Sequence, residues 1–252
     1  MDWQDEGIVL SARPHGEADA IVELLTRVHG RHLGLVRGGR SRRQRPVLQP
    51  GNLVAAEWRA RLSEHLGHYT VDLVEARAAL ILDDRRALAD LNSLSALAHL
   101  LPERDPHESL FEIARIVLEH MAEPDLWPGL LVRWELELLN ELGFGLDLSA
   151  CAATGSRERL EFVSPKSGRA VSVEAAAPYR DKLLPLPAFL RAGAQATPGE
   201  DDVSAGFDLT GYFLEKHVWG PRGMGCPEVR QRLLEELRSR ARGGGDRKTG
   251  TA

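Results

Sequence analysis

Gly30–Arg45 reads GRHLGLVRGGRSRRQR, and the fold turns on how this stretch is read. It begins as a strand, with Leu33, Leu35 and Val36 among short or basic residues. It breaks at Gly38-Gly39 into a loop carrying Arg40, Arg42, Arg43 and Arg45. Arg27, Arg31 and Arg37 lead into that loop, and no Asp or Glu lies between Arg27 and Arg45. A chain with a formal net charge of -5 has no obvious solubility reason to gather arginines here. Fixed positive charge on a glycine-hinged loop suits a polyanion, because each guanidinium can fork onto a phosphate and release condensed counterions. The plainer reading is a solvated loop whose basic residues only keep it soluble. Charge alone does not choose between the two.

Working outward, the pattern on both sides is β. GIVLSAR, DAIVELLT, RHLGLVR, NLVAAEWRAR and HYTVDLVEAR are five short runs separated by Pro14-His15-Gly16, His29-Gly30, Gly38-Gly39, Pro50-Gly51 and Gly67. In the last run Tyr69, Val71 and Leu73 alternate with Thr70 and Asp72, as in a half-buried strand. Five strands within residues 1–80 predict a small barrel. The oligonucleotide-binding (OB) barrel is the five-stranded choice, and an SH3-like barrel is the alternative.

After Asp83 the period becomes helical. Asp84 caps a predicted helix to Leu101, with Leu88, Leu91, Ser95 and Ala98 on one face and Pro102 ending it. Asp105-Pro106-His107-Glu108 reads as an N-cap, Pro at N1 and Glu at N3, ahead of Leu110, Ala114, Val117 and Met121. A third helix starts near Asp125, carries Trp127, Leu130, Leu131, Trp134, Leu138 and Leu142, and stops at Gly143. These three should pack as a bundle. Acidic residues outnumber basic ones across this segment, so the charge asymmetry is domain-level: a basic edge on the barrel and an acidic helical body. LEFVSP and GRAVSVE form a predicted hairpin, at about 151–175, inserted into a helical domain that spans 81–240. Further helices are expected from Asp208 and after Pro227. The tail at 241–252 has little to bury and is expected to be disordered. The fold class is therefore α+β.

Composition excludes several classes. At 252 residues, with 43% hydrophobic and 27% charged residues, the chain fits an ordinary globular protein. No apolar run approaches the ~20 residues needed to cross a bilayer. MDWQDEGIVL lacks the basic and apolar regions of a signal peptide, so a cytoplasmic protein is expected. Cys151 and Cys226, far apart, support neither a disulfide framework nor a zinc site. GLVRGG and GPRGMG lack the spacing of phosphate-binding loops, and His65 and His68 flank a turn without partners. A cysteine-dependent enzyme would need a base beside Cys151 or Cys226, and nothing marks His217 as one. No catalytic residue, metal or cofactor is assigned. The basic loop holds no aromatic residue, and Trp58 and Tyr69 read as strand core, so binding there should run through phosphates and leave base edges free.

Taken in order, these segments resemble the bacterial RecO family of recombination mediators. Glu6–Arg31 (EGIVLSARPHGEADAIVELLTRVHGR) is similar to its opening strands. VRGGRSRR with LQPGNLV matches its basic strand-loop-strand. Arg133–Cys151 (RWELELLNELGFGLDLSAC), followed by FVSPKSGRAV, is the most specific match. The resemblance spans about residues 5–238. It implies an OB-fold barrel, then an α-helical domain with an inserted zinc-ribbon-like hairpin. It also implies binding of single- and double-stranded DNA and annealing of complementary strands. The implied partners are RecR, the C-terminal tail of the single-stranded-DNA-binding protein SSB and, indirectly, the RecA recombinase. The candidate DNA-binding residues are Arg31, Arg37, Arg40, Arg42, Arg43 and Arg45. Arg133 and Trp134 match the family's SSB-tail pocket, although Arg133 could equally pair with Glu137 one turn on. The chain departs from zinc-binding members: Cys151 stands at the first ligand position and Thr154 at the next, and GRAVSVEAA supplies none. One cysteine cannot hold zinc, so a metal-free hairpin packed through Leu160, Phe162 and Val171 is expected. The competing class is an adaptor whose barrel binds a protein rather than DNA.

Overall fold

The computed structural model describes residues 1–81, 83–191, 193 and 197–244, with backbone alone at 85, 86 and 240–244. Two compact units follow one another, Met1–Ala122 and Glu123 onward. The first contains the barrel: β1 (Asp2–His15), β2 (Asp19–Thr26), β3 (Gly30–Val36), β4 (Leu53–Arg59) and β5 (His68–Glu75), with the four-residue helix α1 (Gln44–Val47) between β3 and β4. It closes in the order β1-β2-β3-β5-β4. A simple meander would keep all neighbours antiparallel. Here β3 and β5 meet in parallel, at Leu35–His68 and Val36–Tyr69. That junction identifies the OB arrangement over the SH3-like one.

Burial alternates along β3. His32, Gly34 and Val36 point inward, while Leu33 and Leu35 are only half-buried. Gly34 lacks a side chain because the Tyr69 ring lies across it: a Cβ there would stand 2.3 Å from Tyr69 Cδ2. Trp58 and Tyr69 are both core, packed with Val9, Val22, Leu24, Val36, Leu48, Val54 and Val71. Burying such a cluster is the main force holding the barrel closed.

The helices α2 (Ala78–Ile81), α3 (Arg85–Ala98) and α4 (Glu108–Glu119) belong to the same unit. Polar cross-links tie them to the barrel: Arg31 Nε donates to Leu101 O at 3.1 Å, His99 Nε2 lies 2.7 Å from Glu23, and Arg77 Nη1 donates to Arg115 O at 3.0 Å. Of the three helices expected after Asp83, α3 and α4 fall in the first unit and the third in the second. The predicted cap at Asp105 also shifts, and α4 begins at Glu108 with His107 as N-cap. Glu103 bridges Arg31, and Arg104 N donates to Arg31 O at 2.8 Å. This bridge, with Arg104 turning at φ +64 after it, keeps Asp105 from capping the helix and delays its start. Leu110, Ala114, Val117 and Met121 are all buried, as their spacing predicts.

The second unit is built on α5 (Trp127–Glu141), ended by Gly143 at φ +84. Next come β6 (Leu160–Val163), β7 (Ala170–Ser172), α6 (Val173–Ala176) and β8 (Leu184–Pro185), the strands ordered β7-β6-β8. The third strand escaped the sequence because Pro185 sits in it, which an edge strand tolerates. α7 (Glu200–Leu214) starts eight residues before Asp208, with Gly199 as N-cap and Glu200, Asp201 and Asp202 in its first turn, where the helix dipole favours them. α8 (Glu228–Gly244) runs into the glycines of the expected disordered tail. Residues 245–252 lie outside the described residues.

Candidate nucleic-acid interface

The basic loop has a fixed shape. Gly38 takes a left-handed turn (φ +64), and its N–H donates to Asp19 Oδ1 at 2.8 Å. Gly39 packs on Ala20, where a Cβ would come within 2.7 Å of the alanine's own. Arg40 N donates to Ala18 O at 2.9 Å, and its guanidinium donates to Gly16 O and Glu17 O at 3.2 and 2.9 Å. The loop is thereby pinned to the β1–β2 turn. Ser41 O then accepts from Gln44 N and Arg45 N, starting α1, and Leu48 closes that end of the barrel core.

This frame sorts the predicted arginines. Arg37, Arg42, Arg43 and Arg45 are exposed and make no ion pair among the described residues. Arg40 shares their surface but holds the β1–β2 turn through one nitrogen. Arg31 is elsewhere: its side chain is 12% exposed, bound to Glu23, with Glu103 at 3.8 Å. It cross-links the unit and is not gathered with the others. Sequence reasoning missed Arg13. It lines, with Arg40 and Arg45, a cleft of about 400 Å³ between the end of β1 and the loop. The only signal for it was position, on a hairpin whose pairing brings its far end beside Gly38-Gly39.

At the other end of the barrel lies an aromatic cleft of about 590 Å³, lined by Trp3, Val28, His29, His32, Trp58 and Arg104 among others. Trp3 stacks on His29 at 4.1 Å, and Trp58 lies 5.7 Å behind. Burial, and next the charge of Arg104, push the His32 pKa down to about 4, so this ring is neutral at physiological pH.

In the second unit Arg133 is exposed on α5, and Trp134 on the same turn is fully buried. The Arg133 guanidinium donates to Phe189 O and lies 5.8 Å from the Phe189 ring. It is thus held by Phe189 rather than by Glu137. The hairpin carries Cys151 beneath β7: Ser172 N donates to its Sγ at 3.3 Å, and Ala152 N to Ala170 O at 2.8 Å. Burial raises this thiol's pKa, but hydrogen bonds from Thr154 and Ser172 outweigh it and bring the value to about 6. Among the described residues no three His, Cys, Asp or Glu side chains converge as metal ligands. Leu160 and Val171 are buried, and Phe162 is half-buried with the Arg180 guanidinium 5.5 Å from its ring centroid.

Comparison with known proteins agrees across the chain. Residues 1–77 match the family model described as Recombination protein O N terminal, and residues 82–223 match Recombination protein O C terminal. A protein of Methylobacterium nodulans named DNA repair protein RecO is 58% identical over 235 residues, covering 92% of this chain and 96% of that one. The like-named protein of Methylorubrum extorquens is 54% identical over 239 residues, 93% and 97% of the two chains. That of Mesorhizobium japonicum is 53% identical over 238 residues, 94% of each.

Proposed function

Because the chain belongs to the RecO family of DNA repair proteins, we propose that it is a non-catalytic recombination mediator. It binds single- and double-stranded DNA through the basic end of its barrel, anneals complementary strands and, with RecR, helps RecA load on SSB-coated DNA in the nucleoid. One observation carries this reading: Arg37, Arg42, Arg43 and Arg45 stand exposed, with no ion pair among the described residues, on a loop whose backbone is fixed by six hydrogen-bonded residues. A backbone already fixed spares the cost of ordering the loop when its guanidiniums meet phosphates, and such contacts read no base, which suits annealing. Arg133, a cation against the ring of Phe189, suits the acidic and hydrophobic tail of SSB.

The test is the affinity for single-stranded DNA as a function of salt, with Arg37, Arg42, Arg43 and Arg45 all changed to Ala. Arg40 stays, since it holds the loop together. Loss of four phosphate contacts should shrink the log-log slope by about 0.7 per contact, roughly 3 in all. An unchanged slope would move the DNA path off this loop. The adaptor reading draws on the aromatic cleft at the other end of the barrel, whose binding of an apolar peptide would barely respond to salt.

A further inference from the structure

α7 does not end as an ordinary helix. At Glu215–Trp219 the backbone widens into a π-helical turn, followed by a short 3-10 turn at Gly220–Arg222. Such turns are rare and recur at functional sites. This one carries Lys216 and His217. The His217 ring lies nearly parallel to Phe213 on one side (centroids 6.1 Å apart, planes 7°) and to Phe144 on the other (4.9 Å, 11°). Phe213 is buried, whereas Phe144 is 38% exposed, so the stack runs from core to solvent and stops at an open ring. Burial and the charge of Lys216 lower the His217 pKa, which favours a neutral ring inside the stack. Tyr212, 39% exposed, meets Phe213 edge-on at 5.2 Å.

Positive charge borders these rings. Lys216 Nζ is 5.9 Å from the ring centroids of both Tyr212 and Phe213, and it donates to Pro165 O. A Cβ on Gly168 would stand 3.7 Å from Phe213. The hairpin turn of residues 165–168, with Lys166 exposed, is therefore clamped beside the stack. Arg169 is already matched by Asp147 at 3.3 Å, whereas Lys166 and Lys216 make no ion pair among the described residues.

We propose that Phe144 and Tyr212 form a base-stacking platform for single-stranded DNA, with Lys216 and Lys166 taking the adjoining phosphates. The proposal rests on the DNA-binding reading above and supplies what the basic loop lacks, a ring face that accepts any base without using its pairing edge. It also gives the inserted hairpin a task, that of placing Lys166 at the platform.

The full-length chain is tested by fluorescence anisotropy with an oligothymidylate and with a strand of equal length carrying abasic sites. Wild type, Phe144→Leu, Tyr212→Leu and Phe144→Tyr are compared, with thermal melting as the folding control. Stacking predicts about tenfold weaker binding of the intact strand by either Leu variant, with no change in salt slope and retention by Phe144→Tyr. Wild type should prefer the intact strand, and the Leu variants should lose that preference. A 5-iodouracil strand irradiated with wild-type protein needs no variant to fold and should crosslink to peptides containing Phe144 or Tyr212. Equal binding of intact and abasic strands, with the loop-dependent salt slope preserved, overturns the platform and leaves the loop reading standing. Adducts confined to the first unit also overturn it. Absence of DNA binding by wild type at low salt overturns both.

Discussion

Arg230 is 2% exposed and Glu135 fully buried, and their charges meet as a two-pronged pair at 2.8 Å on each prong. Thr210 donates to the same carboxylate, and Phe207 O accepts from Arg230 at 3.1 Å. The pair joins α5, α7 and α8. Removing one partner strands a charge in the core, so Glu135→Ala should lower stability by roughly 3–5 kcal/mol. The double change Glu135→Met with Arg230→Met should recover most of that in urea unfolding. If the double variant is as unstable as the single one, the cost lies in packing rather than in the stranded charge. A second residue-scale prediction concerns pH. Burial opposes ionisation of Glu23, but His99 and Arg31 outweigh it and hold the carboxyl at about 2. Its folded value lies below its unfolded one, so its contribution is present above about 4.5 and lost as pH falls toward about 2. His32 is also depressed, to about 4. Its contribution is present above about 6.5 and lost as pH falls from there to about 4, worth at most about 3 kcal/mol. His99 is raised by its hydrogen bond to Glu23, so its share is present below about 6.5 and lost as pH rises through its folded value. Unfolding free energy measured from pH 7 to 4 should fall, and His32→Gln should flatten the upper part of that fall. A parallel curve for the variant would show that another group titrates there.

At the scale of elements, the barrel strands were legible because glycine and proline turns separate them, and β5 alternates as a half-buried strand must. α5 was legible because both its ends carry chemical signals, Pro128 in the first turn and Gly143 after the last. What escaped has physical causes. The start of α4 yielded to backbone pairing with β3, a tertiary contact that no local cap reveals. β8 is two residues long and contains Pro185. The start of α7 hid behind Gly199, since glycine caps a helix without a side-chain signature. Of the candidate site, the loop arginines could be read from their run, whereas Arg13 and the clipping role of Arg40 depend on hairpin pairing. That role makes a separable prediction. Arg40→Ala releases the β1–β2 turn and should lower melting temperature, while Arg42→Ala should leave it unchanged because that side chain only faces solvent. Equal melting temperatures would mean that the backbone bonds of Gly38, Gly39 and Arg40 suffice to hold the loop.

On the scale of the whole molecule, the chain is net negative, at -5, yet gathers Arg37, Arg42, Arg43 and Arg45, exposed and without an ion pair among the described residues, on one end of its barrel. The net charge repels a polyanion at a distance while this patch attracts it close by, so the field orients the encounter as well as strengthening it. Neutralising the loop and reversing it should then differ. Arg42→Glu with Arg43→Glu removes two attractions and adds two repulsions on a body that is already acidic. At low salt the reversed pair should bind single-stranded DNA more weakly than Arg42→Ala with Arg43→Ala. The two curves should converge as salt shortens the screening length from about 30 Å at 0.01 M to about 3 Å at 1 M. Stopped-flow association would carry most of the difference, because steering acts on the on-rate. If the two variants bind alike at low salt, the arginines act only through contact, and the acidic body plays no part in guiding DNA to the barrel.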